Sequence, residues 1–194
     1  LRELFEETGV LPEPLSRALD PGARVTLRAA LLEREADMSG WEALTEAVDQ
    51  AATELRHVTQ FTTPLFAAVR HTTPFFHMQL PTGELPGIER GELVAGEFVR
   101  PQALLEDWRA GRRPVAAPVL FLLQMLRDGD LAGFYERARA AGDAVAAGQL
   151  HRARFSPGLM IAPLLTPTLP PALTTNAIFV GEERFYLVDP ATYE

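Results

Sequence analysis

Hydrophobic and polar positions change period several times along the chain, and each change marks a predicted element. Residues 2 to 8, RELFEET, have helix-forming composition and Gly9 is a natural stop, which predicts the last two turns of a helix. The LPEP stretch at 11 to 14 breaks the chain. Asp20-Pro21, an N-cap followed by proline at the first helical position, predicts a helix of about fifteen residues through RVTLRAALLERE. Ser39-Gly-Trp-Glu42 reads as a capping box for a further helix reaching Ala52.

From Glu54 the pattern changes. RHVTQFTTPLFAAVRHTTPFFHMQLP, rich in Thr, Val and Phe with scattered Pro, predicts strands and bends. GELVAGEFVRP, residues 91 to 101, alternates as a half-buried strand does and predicts a hairpin partner. Pro101 then starts a helix through QALLEDWRAG that Gly111 closes, and two more helices are predicted over 115–127 and 130–147. Prolines crowd between Pro157 and Pro171, which marks a linker or an extended crossing. After it, NAIFVGEERFYLVDP reads as a hairpin joined at Gly181 to Arg184.

Composition narrows the class. With 194 residues and 47% hydrophobic content the chain can bury a core. A net charge of −8 argues against a nucleic-acid coat or an anionic-membrane protein, because phosphate backbones demand an excess of Lys and Arg. Small phosphorylated substrates stay compatible, since a divalent cation held by carboxylates reverses the local sign. No cysteine is present, so no disulfide framework, thiolate metal site or thiol nucleophile is available. The longest apolar run, PVAAPVLFLLQML at 114 to 126, is too short and too interrupted by proline to span a bilayer. No signal peptide precedes the first helix, and a cytoplasmic location is expected.

The chemistry concentrates at the start. On a helix Glu3, Glu6 and Glu7 stand at i, i+3 and i+4, so their carboxylates share one face. Like charges at that spacing repel, and a hard divalent cation or a paired arginine relieves them; Mg²⁺ takes oxygen ligands and bridges to substrate phosphates. Arg2 stands beside the cluster and can orient one of the glutamates. The bland alternative is a solvated acidic helix end, the ordinary fate of charged runs.

RELFEETGV resembles, at every specified position, the second half of the Nudix box, G-x5-E-x7-R-E-U-x-E-E-x-G-U with U a bulky aliphatic. The leading Gly and first Glu of the box would fall upstream of Leu1, so the sequence reads as a piece of a longer protein. The family hydrolyses the diphosphate bond of nucleoside diphosphate derivatives with Mg²⁺ or Mn²⁺. The resemblance therefore implies Glu6 and Glu7 as metal ligands, Glu3 as a further ligand or the group handling the attacking water, and Arg2 as its orienting partner. Downstream, Arg70, Thr73, Phe75 and Phe76 occupy the places of an R-x-x-T-x-F-F strand. That strand is similar to one in the branch of coenzyme A diphosphatases, with Phe98 where that branch carries Trp. Glu92 is the expected additional metal ligand and Glu97 the second choice. The implied fold is α+β: a partial Nudix α/β/α sandwich over residues 1 to 150, with a helical insertion over 12 to 55. The implied substrate is a small phosphorylated molecule, with acyl-coenzyme A one candidate. A non-catalytic Nudix-like binding or interaction module is the alternative.

TTNAIFVGEERFYLVDPATYE is similar to the opening strands of metallo-β-lactamase-fold hydrolases, with Asp189 as the strand-end acid. The resemblance implies a Pro-rich linker over 151 to 173 and the first hairpin of a second domain over 174 to 194. Any zinc would belong to a signature downstream of this chain. The competing reading is an edge hairpin of the same domain. His71 and His77 share a strand face but lack a third ligand, and read as ordinary polar strand residues. RAGRR at 109 to 113 fits a helix C-terminus, and Trp41 and Trp108 read as packing residues. The sequence leaves the oligomeric state open.

Overall fold

The computed structural model describes residues 1–32, 39–42, 45–63, 69–88, 93–126, 129–149, 152–168 and 174–190. Helices and two small sheets occur together, so the chain is α+β as expected. It divides into two compact units. One comprises Leu1–His57 and Phe76–Phe98, the other Val58–Phe75 and Val99–Glu194. This division differs from a boundary near residue 150, because 58–75 and 99–149 share a unit with the strands that follow them.

The first unit holds α1 (Arg2–Thr8), α2 (Leu15–Ala18), α3 (Pro21–Leu32), α4 (Ser39–Glu42) and α5 (Thr45–Ala52). Gly9 ends α1 at φ 70°, the left-handed geometry that costs glycine little, and its N–H donates to the Phe5 carbonyl at 2.7 Å. Pro21 opens α3, and the Asp20 carboxylate accepts from the Ala23 N–H at 3.0 Å, the cap that the Asp-Pro pair predicts. The core is built from Phe5, Leu11, Leu15, Leu31 and Ala51, with Leu27, Trp41 and Val48 packed around it. Phe5 is 1% exposed and stacks on Trp41 with ring centroids 6.1 Å apart, so Trp41 is a packing residue. Burial of a Phe of this kind stabilises by about 2 kcal/mol.

One prediction fails here. The described part of the expected strand, 93–100, is irregular, with Val94 97% and Phe98 73% exposed. Alternation permits a strand but does not supply one: its N–H and C=O groups need a neighbouring strand, and no described strand pairs with it. At Gly96 an added Cβ would stand 3.1 Å from Ile88 Cδ1, so the segment is shaped by a local close approach.

The second unit takes in β1 (Arg56–Thr62) from Val58 onward and its partner β2 (Thr72–His77) as far as Phe75, closed at the turn end by the Thr63 N–H donating to the His71 carbonyl at 2.9 Å. Then come α6 (Pro101–Arg109), α7 (Ala117–Leu126) and α8 (Leu131–Ala146), close to the predicted helices. Pro101 occupies the first turn of α6, and Asp130 caps α8 by accepting from the Gly133 N–H at 3.0 Å. Leu105, Trp108 and Leu120 form one cluster, while Val58, Phe134, Tyr135 and Ala138 form another. Trp108 thus packs as expected. Arg112 and Arg113 of the RAGRR stretch pair with Asp107 at 2.6 and 3.3 Å.

A four-stranded antiparallel sheet completes this unit: β3 (Ala153–Ser156), β4 (Leu159–Leu165), β5 (Thr174–Val180) and β6 (Tyr186–Val188), in sequence order. The β5–β6 hairpin turns where the sequence predicts, at Gly181 with φ 121°. The Pro-rich stretch departs from the expected linker, because β4 lies within it and pairs β5 along seven residues. Pro163 is tolerated since β3 reaches only as far as Ile161, which leaves β4 with a single described neighbour at the proline. The hairpin is therefore half of a larger sheet.

Candidate metal-binding helix

Arg2, Glu3, Glu6 and Glu7 all lie on α1, whose inner face is fixed by Phe5. With Phe5 buried, the turn of the helix is set and Glu3 is carried outward. The Glu3 side chain is 66% exposed and that of Glu6 17%. Arg2 donates to both, reaching the Glu6 carboxylate at 2.5 Å and pairing with Glu3 as well. Arg2 thus forms ion pairs with two of the three glutamates. Glu7 lies on the same helix, half-buried.

Groups of three or more His, Asp or Glu side chains converging as metal ligands are absent among the described residues. Glu92 lies outside the described residues, and Glu97 is exposed on the irregular segment. The donors that α1 offers are all carboxylate oxygens, the hard ligands that Mg²⁺ and Mn²⁺ take, so their chemistry fits such an ion.

Sequence reasoning missed the group that secures the helix end. Arg28 of α3 is 8% exposed, and its Nε donates to the Glu6 carbonyl at 3.0 Å. Its Nη2 donates to the carbonyls of Glu7 at 2.9 Å and Gly87 at 2.7 Å. Those of Glu6 and Glu7 belong to the last turn of α1, where the helix supplies no acceptor bonds of its own. A cation there also complements the helix dipole. The Gly87 N–H returns a bond to the Thr8 carbonyl at 2.8 Å. Nearby, Arg24 pairs with Glu84 at 2.6 Å and donates to the carbonyls of Leu19 and Ser16. A signal for both arginines exists in the sequence: Arg24, Leu27, Arg28 and Leu31 fall on one helical stripe, so two cations sit on the inward face.

His57 packs edge-on to Phe76 at 5.5 Å, and His71 exchanges backbone bonds with Thr63. His151 lies outside the described residues. In the second unit an open cleft of about 1650 Å³ is lined by Phe61, Phe75, Trp108 and Phe121 together with Arg152 and Arg154. Among the described residues, no helix is long and apolar enough to cross a membrane. No family model matches the chain, and neither a curated protein nor a solved structure matches it.

Proposed function

We propose that the chain belongs to a metal-dependent hydrolase that cleaves the diphosphate bond of a nucleoside diphosphate derivative, acyl-coenzyme A being the candidate substrate. The observation that carries this reading is α1 itself. Glu3, Glu6 and Glu7 recur at i, i+3 and i+4, and a left-handed Gly9 ends the helix directly after them, in register with the half-box that RELFEETGV resembles. Glu6 and Glu7 would hold Mg²⁺ or Mn²⁺, with Glu92 as the further ligand. Such an ion supplies charge stabilisation to phosphate oxygens and lowers the pKa of bound water. The chain's own contribution is positional. Phe5 fixes which way the acidic face turns, and Arg2 holds Glu3 and Glu6 in one network.

The test is hydrolysis of coenzyme A and ADP-ribose by the longer protein in Mg²⁺ or Mn²⁺, followed by separation of the products. Glu6→Gln is expected to lower kcat at least 100-fold, about 2.7 kcal/mol of transition-state stabilisation. Equal turnover by wild type and Glu6→Gln would remove the assignment.

The Arg2 network favours a second reading, a non-catalytic binding module. Its ion pairs give Glu3 and Glu6 a shared cation without a metal, so part of the helix's negative charge is offset as it stands. A chain that shows no response to Mn²⁺ and no turnover supports that reading.

A further inference from the structure

We infer that Arg28 is the positioning residue of the glutamate helix, which makes α3 part of the candidate site. This rests on the metal-dependent reading above. Glu6 and Glu7, the two expected ligands, are adjacent in the last turn of α1, and both of their backbone carbonyls accept from one guanidinium. The same group holds the Gly87 carbonyl, and the Gly87 N–H bonds back to Thr8. One buried cation thus joins three stretches of chain: the helix end, α3, and the strap at Gly87 that leads in sequence towards Glu92.

The planarity of guanidinium gives this junction its consequence. Its donors lie in a rigid fork, so bonding to the Glu6, Glu7 and Gly87 carbonyls together fixes the pitch and rotation of the last turn. The directions of the two carboxylates follow from that rotation, and metal affinity depends on ligand direction at the scale of a few tenths of an ångström. Lysine at this place would keep the charge and lose the fork. Gly9 belongs to the same junction: an added Cβ would stand 2.9 Å from Arg28 Nη1, so the glycine leaves the fork its room as well as ending the helix.

Mn²⁺ binding to the whole chain, followed by the free-ion electron paramagnetic resonance signal, tests this with wild type, Arg28→Lys, Arg28→Gln and Glu6→Gln. Amide exchange at Gly87 serves as a metal-free readout, and exchange at the buried Ala51 of the same unit reports on the stability of that unit. Arg28→Lys is expected to weaken Mn²⁺ binding about tenfold, the usual scale for a residue that orients ligands from behind. It should speed Gly87 exchange by a similar factor while leaving Ala51 unchanged. If Arg28→Gln does not fold, Gly9→Ala replaces it, crowding the fork from the other side with the same expected losses. Mn²⁺ binding that Glu6→Gln abolishes but both Arg28 variants keep within twofold of wild type overturns the role of Arg28 alone. A wild-type chain that binds no Mn²⁺ overturns the metal reading, and the role of Arg28 falls with it.

Discussion

Arg28 in the first unit and Gly142 in the second both join a helix to its neighbour, by opposite means. Arg28 fills its junction with charge and donors, aimed at the carbonyls of Glu6, Glu7 and Gly87. Gly142 empties its junction: α8 comes so near β1 that an added Cβ would collide with the Thr59 hydroxyl and stand 3.3 Å from the Gln60 carbonyl. A directional junction fails when a bond is taken away, whereas a steric one fails when an atom is added. The buried Thr59 hydroxyl, beside Gly142, has no hydrogen-bond partner among the described residues. An unpaired hydroxyl is tolerated at Thr59, where the helix needs proximity, whereas the Arg28 cation is paired because a charge left alone there would be far more costly.

Removing the directional junction is expected to do the most damage. Arg28→Met keeps much of the bulk and deletes every donor, leaving three carbonyls without those bonds, and should cost about 3 kcal/mol in urea-induced unfolding. A loss below 1 kcal/mol would mean that the fork adds little beyond its packing. Gly142→Ala should come next, at about 2 kcal/mol. Here the comparison sharpens, because Thr59→Ala in the same chain removes the atom in the way and should recover about 1 kcal/mol. Additive effects of the two substitutions would show that the close approach is not what Gly142 serves. The smallest effects belong to the caps. Asp20→Ala on α3 and Asp130→Ala on α8 each delete one exposed cap bond of 3.0 Å, the latter also an exposed ion pair with Arg137 at 3.6 Å, and each should cost about 1 kcal/mol. The two units are expected to respond alike at these caps, and a gap above 1 kcal/mol between them would break that symmetry.

Elements announced by local chemistry were legible in the sequence. Asp20-Pro21, Pro101, Asp130 and Gly9 each act within a single turn, and each start or stop lies where its residue types place it. What depends on a distant partner was not legible. GELVAGEFV alternates as a strand would, but no described strand pairs with its described part, and Val94 and Phe98 lie exposed. Pro163 reads as a breaker until the reach of β3 is known. The glutamate face of α1 was fully readable, since its spacing is local. Its tether was not, because Arg28 stands in a different helix and its acceptors are backbone atoms that carry no sequence signature.

Pro163 has a further consequence for the sheet. Extended backwards from Ala153, β3 would next come alongside Ala162 and Pro163, and at the proline β4 offers no amide hydrogen. A strand aligned there would find one rung of the ladder missing, whether it came from this chain or from another molecule. The proline therefore works as a length gauge for β3 and as a guard on the flank of β4 that has no described neighbour there, where Leu164 and Leu165 are exposed and would otherwise invite self-association.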